Sequence, residues 1–202
     1  ETFIIKTFKY IEQNSRKKFR FIICSLVDIN NPDIVDEYAK KNIKLYDLKF
    51  SNRNSRLSDV SRNLIELFKL SRIIRKEKVD ILYGHDFFSA LTVRVCYIIN
   101  LLFFYRTRRL YISLHNLLFW LKRIHHVINK ILSIVTDKII CVSRSVYQFS
   151  IEKDRINPKK YEIIYNGIDI DVFVYDDLLR VLMRKEYGIP DNALVLGSIG
   201  SL

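Results

Sequence analysis

The sequence predicts an α/β fold built on a doubly wound parallel sheet, with helices on both faces. Short apolar runs of strand length alternate with longer segments of helical periodicity along most of the 202 residues. The runs IICSLV and KIICV are almost continuously apolar, which is typical of parallel strands covered on both faces. Polar residues follow several of these runs, at the edge where open α/β sheets bind ligands. These three observations together predict a doubly wound domain.

The first half of the chain alternates between helical and strand-like segments. In order, we predict a helix over Thr2 to Asn14, a strand in FRFIICSLVD, a short helix opened by Pro32, a weak strand in IKLYDL, a helix over Leu57 to Lys78 and a strand in VDILYG. The periodicity of the long helix would place five apolar side chains in the core, namely Val60, Leu64, Leu67, Phe68 and Ile74.

The same alternation continues through the second half. The predicted elements are a helix over Phe87 to Phe104, a strand in LYISLH, a helix over Leu117 to Val135, a strand in KIICVS, a helix over Arg144 to Lys153 and a strand in YEIIYN. The second of these helices would bury Leu121, Ile124, Ile128, Ile131 and Val135. A last apolar run predicts a strand over Ala193 to Ile199.

Basic side chains are concentrated in the middle of the sequence. The net charge is +12, and no acidic residue occurs between Asp86 and Asp137, whereas Arg and Lys recur throughout this stretch. Such a segment carries a positive field that favours anionic partners. We expect no nucleic-acid partner, because no RNP, KH, zinc-finger or helix-turn-helix signature accompanies the charge. A basic module that binds nucleic acid or membranes stays open as an alternative.

Other features limit the compartment and the cofactors. The longest apolar stretch, Val95 to Tyr105, is too short to span a bilayer, and the amino-terminal segment lacks the basic start of a secretory signal. Cys24, Cys96 and Cys141 lie in apolar runs without CxxC spacing, which predicts buried thiols in a reducing compartment and no zinc site. His125 and His126 are predicted to be solvated on the polar side of their helix. We therefore expect a cytoplasmic protein.

Polar residues that follow the predicted strands define a candidate cleft. They are Gly84, His85 and Asp86, then His115 and Asn116, then Ser143, and finally Asn166 and Gly167. Structural roles are also open for them. Asp86 and Ser143 suit helix N-caps, whose side chains bind free backbone amides, and His115 could satisfy backbone groups at the end of its strand.

Several segments resemble one known family in the same order along the chain. The runs ICVSRSV, INPKKYEIIYNGIDIDVF and RKEYGIPDNALVLGSIGSL, together with the upstream VDILYGHDFFSAL and YISLHN, look like the middle of a family 4 glycosyltransferase of the two-domain GT-B fold. The opening ETFIIKTFKYI is similar to the first helix of that family, just after its glycine-rich loop. The resemblance covers essentially the whole chain.

The resemblance implies a domain organisation. Residues 1–173 would form the Rossmann-like, acceptor-side domain without its first strand, and residues 174–202 would be the hinge and the first helix or strand of the nucleotide-sugar domain. The chain would then be a fragment truncated at both ends, without the paired glutamates and the phosphate-binding lysine of that domain. We expect the 202 residues alone to be inactive and the full-length protein to be the enzyme.

The resemblance also implies a reaction and roles for site residues. The enzyme would transfer a sugar from a nucleotide-diphosphate sugar to a saccharide or a lipid-linked acceptor, with retention and without a metal or another cofactor. His115 is similar to the histidine that contacts the donor sugar. Glu1, His85, Asp86, Asn116, Ser143, Asn166 and Gly167 would line the cleft. Gly200 would lie on the phosphate side, although Ser201 stands where the family often has Arg.

Aromatic and basic residues lie together near the start of the helix predicted over Leu117 to Val135. Phe119 and Trp120 lie beside Lys122 and Arg123, a combination that suits an anionic bilayer surface. These residues predict a peripheral position on the inner face of the membrane. The alternative is a sequence generally rich in Lys, Arg and Ile, with these aromatic rings packed in the core. A noncatalytic remnant of a glycosyltransferase is the main rival of the enzyme hypothesis.

Overall fold

A computed structural model of the chain describes residues 11, 15, 19–27, 29, 32–51, 57–167 and 174–197. The chain divides into two compact units, residues 1–165 and residues 166–202. The predicted helix over Thr2 to Asn14 falls almost wholly outside the described residues. The predicted domain border after residue 173 stays a prediction, because residues 168–173 are also outside them.

Strands and helices alternate along the first unit, as the periodicity predicts. They are β1 (Ile22–Ser25), α1 (Pro32–Lys40), β2 (Lys44–Asp47), α2 (Leu57–Lys76), β3 (Ile81–His85), α3 (Asp86–Leu102), β4 (Arg109–Leu114), α4 (Arg123–Leu132), β5 (Lys138–Cys141), α5 (Arg144–Asp154) and β6 (Tyr161–Ile163). Short 3-10 turns at Ser133–Val135 and Pro158–Lys160 precede β5 and β6. The predicted α/β class with a Rossmann-like parallel sheet is confirmed.

All described strand pairs are parallel. β1 pairs with β2, and a second sheet has the order β3, β4, β5, β6. In this second sheet each strand after β3 lies beside the one that precedes it in sequence. Because the connections between parallel strands are right-handed, α3, α4 and α5 all lie on the same face of the sheet. Among the described residues, no strand pairs with β3 on the side away from β4.

The core of the first unit lies between the sheets and the helices that cover them. One cluster joins α2 and α3 to β3 and β4 and includes Ile74, Cys96 and Leu110. A second cluster joins β4, β5 and β6 to α5 and includes Ile112 and Ile139. Because side chains alternate along a strand, Leu110, Ile112 and Ile139 all lie on the face of the sheet that the helices cover.

Glycine is required where α3 crosses β3. A Cβ on Gly84 would lie 2.8 Å from the Cα of Ala90 and 2.8 Å from a methyl group of Val93. Real Cβ atoms essentially never approach backbone so closely, so only glycine allows this packing. The close approach holds the end of β3, and with it His85, against α3.

Two burial predictions are wrong. On α2, Ile74 is buried but Val60, Leu64 and Phe68 are exposed. On α4, the predicted core residues Ile124, Ile128 and Ile131 are exposed, whereas Asn129 on the opposite side is buried. Periodicity locates an apolar stripe on a helix, but it does not determine which side faces the core.

The prediction of buried cysteines agrees better with the structure. Cys96 and Cys141 are buried and Cys24 is partly buried, all as free thiols. Burial raises the pKa of Cys96 to about 11, so this thiol stays protonated at neutral pH. Within the described ranges, no helix combines the length and the apolar composition that crossing a membrane requires.

The second unit contains one described helix, α6 (Asp177–Glu186). Asp176 caps it through a hydrogen bond from the backbone N–H of Leu179, and Gly188 follows its end with a left-handed φ of 63°. Of the predicted strand over Ala193 to Ile199, residues 193–197 belong to no strand or helix. The remaining residues of that prediction lie outside the described part of the chain.

Candidate active site

Two histidines meet at the carboxyl edge of the four-stranded sheet. His85 is the last residue of β3, and His115 follows the last residue of β4. Parallel register places His85 opposite Ser113, two residues before His115. The two imidazole ring centres are 3.9 Å apart, and the ring planes are tilted by 42°. The structure therefore brings together two residues that the sequence assigned to one cleft.

Ser113 connects these two rings. Its Oγ lies 3.0 Å from Nε2 of His115 and 3.3 Å from Nδ1 of His85. The serine is fully buried. Sequence reasoning missed it, although a signal was present, since residues two apart on a strand point to the same face. A polar residue two positions before a candidate histidine could have been recognised in this way.

Partial burial keeps both imidazoles neutral near pH 7. Desolvation lowers the pKa of His85, and the nearby His115 lowers it further. Desolvation also lowers the pKa of His115, and the charge of Asp86 offsets part of this effect. A neutral imidazole has one N–H donor and one bare nitrogen acceptor. The pair can therefore donate to and accept from the hydroxyl groups of a polar ligand.

The predicted N-cap role of Asp86 is wrong. His85 occupies the N-cap position of α3, and no side chain makes the capping hydrogen bond there. Asp86 is the first helical residue and has a φ of 72°, a region that non-glycine residues seldom adopt. Ser89 instead donates from its hydroxyl to the carbonyl of His85. Strain of this kind is found at functional sites, and here it lies beside the histidine pair.

The other residues predicted for the cleft have different settings: one caps a helix, three are exposed and two are not described. The hydroxyl of Ser143 accepts from the backbone N–H of Val146 at 3.2 Å, so its predicted N-cap role is confirmed. Asn116 is exposed just after His115. Asn166 and Gly167 are exposed in the second unit, and a Cβ on Gly167 would meet nothing within 4 Å. Glu1 and Gly200 lie outside the described residues.

The predicted membrane-surface residues are all exposed. Phe119 packs edge-on against Phe149 with ring centres 5.0 Å apart, and Trp120 packs similarly against Phe87 at 5.5 Å. Lys122 is the N-cap of α4, and its backbone N–H donates to Nδ1 of His125. The aromatic rings therefore have neighbours along one edge while most of their surface stays accessible.

His126 is not solvated as predicted. Its Nδ1 lies 2.6 Å from a carboxylate oxygen of Asp154, and both side chains are largely buried. Asn129 donates to the other oxygen of Asp154 at 2.6 Å. Arg94, fully buried on α3, donates to Asn129 and, at 2.9 Å, to Thr136. The side of α4 that carries His126 and Asn129 therefore faces the protein interior.

Among the residues that the structure describes, no three His, Cys, Asp or Glu side chains form a group that could hold a metal ion. At the carboxyl edge of a parallel sheet, where ligands usually bind, two neutral imidazoles suit a hydroxyl-rich molecule.

Comparison with known proteins gives one family match. The model of Glycosyltransferase Family 4 matches residues 31–172. The matched range contains β2 through β6 and the histidine pair. No curated protein matches the sequence.

Solved structures share the fold at low sequence identity. The crystal structure of Anabaena Alr3699/HepE in complex with UDP and glucose has a TM-score of 0.67 at 14% identity, over 93% of this chain and 46% of that chain. A glycosyltransferase from Rickettsia africae ESF-5 has a TM-score of 0.64 at 17% identity, over 95% and 46%. The UDP-GlcNAc 2-epimerase from Neisseria meningitidis, bound to UDP-GlcNAc, has a TM-score of 0.51 at 12% identity, over 91% and 50%. The chain spans half or less of each of these proteins.

Proposed function

The chain belongs to glycosyltransferase family 4, and we propose that it is the acceptor-side part of an enzyme that transfers a sugar from a nucleotide-diphosphate sugar. The acceptor is a saccharide or a lipid-linked saccharide, and the anomeric configuration is retained. The resemblance to the family assigns most of the nucleotide site to the part of the enzyme outside this chain. The structures that resemble this chain are at least twice as long as the part it matches.

The observation that carries this proposal is the contact between His85, Ser113 and His115. Neutral imidazoles held by a buried hydroxyl can bind sugar hydroxyls without the cost of placing a charge in the cleft. The Anabaena structure was solved with UDP and glucose, which supports a nucleotide sugar as the donor. The epimerase neighbour also has a nucleotide-sugar ligand, so the fold alone does not define the reaction.

In the proposed mechanism, His115 contacts the donor sugar. Sugar transfer passes through an oxocarbenium-like state while negative charge develops on the leaving diphosphate. Groups that donate hydrogen bonds to the sugar and the phosphate therefore stabilise the transition state. We assign His85, Asp86, Asn116 and Ser143 to the cleft for the acceptor and the donor sugar, and the same assignment for Glu1, Asn166 and Gly167 stays a prediction. Gly200 is assigned to the phosphate side, and no metal or cofactor takes part.

Replacement of His115 tests this proposal in the complete polypeptide. His115→Ala should lower turnover by at least about tenfold, the effect of losing one transition-state contact of about 1.4 kcal/mol. His125→Ala is the matched control, since that ring lies on α4 and accepts a hydrogen bond from Lys122. Unchanged turnover in His115→Ala would remove His115 from the site. An equal loss in both variants would indicate a general effect on the fold.

A noncatalytic remnant remains the rival proposal. The two can be separated by reading the DNA on both sides of these codons. An open frame that encodes a glycine-rich strand end upstream and a Glu-x7-Glu pattern downstream would support the enzyme, whereas stop codons would support the remnant. Purified alone, the 202 residues should show no turnover with any nucleotide sugar.

We also propose that the enzyme works in the cytoplasm, on the inner face of the membrane. The exposed residues Phe119, Trp120, Lys122 and Arg123 support this location, because exposed aromatic rings next to cations suit an anionic interface. If they meet anionic lipid, vesicle binding should weaken as salt increases.

A further inference from the structure

The helix α4 presents its apolar side to solvent. Four of its apolar side chains are exposed, namely Ile124, Val127, Ile128 and Ile131. They recur at the spacing of one helical face, and Ile134 in the following turn continues the stripe with 79% of its surface exposed. We call these five residues the α4 stripe.

The opposite side of α4 is fixed by a buried polar network. Asn129 donates to Asp154 on α5 and accepts from Arg94 on α3. His126, one turn earlier on the same side, contacts the second oxygen of Asp154. The helix is therefore attached to both neighbouring helices through its polar residues.

This network prevents α4 from turning its stripe inward. Such a rotation would leave the guanidinium of Arg94 and the carboxylate of Asp154 buried without Asn129 between them. Isolated buried charges are strongly unfavourable, so the outward orientation follows from the interior of the protein. The stripe is consequently a fixed feature of the surface.

The charges around the α4 stripe favour an anionic partner. Lys122, Arg123 and Lys130 are exposed on or next to the helix. No acidic residue occurs between Asp86 and Asp137 in the sequence. The exposed apolar residues of α2 share their helix with Asp59, whereas Glu66 on the same helix is buried. Of the described helices α1 to α6, α4 alone carries basic residues and no acidic one.

We propose that α4 lies in the plane of an anionic lipid bilayer, with the α4 stripe inserted at the level of the headgroups. The helix is about 15 Å long, and its lysine and arginine side chains would reach the phosphates while the stripe enters the apolar boundary. This proposal extends the membrane location given under the proposed function and rests on it. It does not depend on catalysis, because binding is measured without turnover.

Flotation with vesicles tests the proposal in the complete polypeptide. The probes are phosphatidylcholine vesicles and vesicles in which about one lipid in three is phosphatidylglycerol. We expect binding to the anionic vesicles and a loss of at least about tenfold for Ile124→Ser with Ile131→Ser. Ile65→Ser is the matched control, since Ile65 on α2 is 55% exposed and Ile131 is 59% exposed. The control should bind as the unsubstituted protein does.

Three outcomes would overturn the proposal. Equal binding by the stripe variant and the unsubstituted protein would show that lipid does not contact α4. A change from dimer to monomer in the stripe variant, without vesicle binding, would identify a second copy of the chain as the partner. Slow labelling of Ile131→Cys by a water-soluble maleimide, without vesicles, would show that another part of the polypeptide covers the stripe. Loss of turnover with vesicle binding intact would contradict only the catalytic proposal.

Discussion

The buried hydroxyl of Ser113 lies 3.0 Å from Nε2 of His115. The same oxygen is 3.3 Å from Nδ1 of His85, so one hydroxyl group contacts both rings. A hydroxyl donates one hydrogen and accepts others. If Ser113 donates to one ring, the other ring must donate to Ser113. The tautomers of the two histidines are therefore coupled through this residue, and Ser113 is a positioning residue for His115.

Removal of the Ser113 hydroxyl should uncouple the rings. In Ser113→Ala, nitrogen NMR should show a changed tautomer ratio for His115, and turnover should fall about tenfold while KM changes little. Ser113→Thr keeps the hydroxyl and should restore both. The pKa of each histidine should stay below 6.5 in the unsubstituted protein, so turnover should decline only as the pH falls below that value. A tautomer ratio unaffected by Ser113→Ala would contradict the coupling.

Gly84→Ala should displace the end of β3. The new methyl group would overlap the backbone of Ala90, which cannot move independently of α3. We expect a loss of stability of about 1–3 kcal/mol, measured by denaturant unfolding, and a weakened contact between His85 and His115. Gly167→Ala is the control, because its Cβ would meet no atom, and it should unfold at nearly the same denaturant concentration. An unchanged midpoint for Gly84→Ala would show that β3 and α3 are less tightly packed.

Asn129→Ala should destabilise the first unit strongly. It removes the link between Arg94 and Asp154 and leaves both side chains buried with fewer partners. Burial already lowers the pKa of Arg94 to about 10, which reflects the cost of keeping this charge inside. We expect a loss of about 3 kcal/mol in unfolding free energy, because two buried hydrogen bonds to charged groups are removed. The adjacent exposed variant Lys130→Ala should change it by less than about 0.5 kcal/mol.

Acid should weaken the contact between α2 and the first sheet. Lys44 donates to Glu77 at 2.6 Å and Tyr46 donates at 2.5 Å, and these hydrogen bonds lower the pKa of Glu77 to about 2. A carboxylate with a lowered pKa stabilises the folded state above its ordinary value of 4.5, and this contribution is lost as the pH falls towards 2. The stability difference between the unsubstituted protein and Glu77→Gln should therefore shrink across that interval. A difference independent of pH would contradict this role.

Much of the fold was predictable because its signals are local. Strand-length apolar runs and helical periodicity identified each described strand and most helices of the first unit, and the parallel pairing agrees with their continuous apolar character. The end of a strand in a parallel sheet is also a local feature. His85 and His115 could be assigned to one edge on that basis, before any contact between them was visible.

Other features depended on neighbours that are distant in sequence. Asp86 looked like a helix cap, but in the folded chain His85 occupies the N-cap position of α3 and no side chain makes the capping hydrogen bond. Ser113 had a recognisable position on its strand, yet its role became visible only when β3 and β4 were paired in register.

The sequence by itself determined that α4 has an apolar side and a polar side, and that one histidine lies at the end of β3 and another directly after β4. Only the tertiary structure decided that the apolar side faces out and that the histidines share one serine. The physical reason is that a buried charge requires specific partners, whereas an apolar side chain accepts many environments. Arg94 and Asp154 fix the rotation of α4 by their need for Asn129, and no periodicity in the segment itself encodes that need.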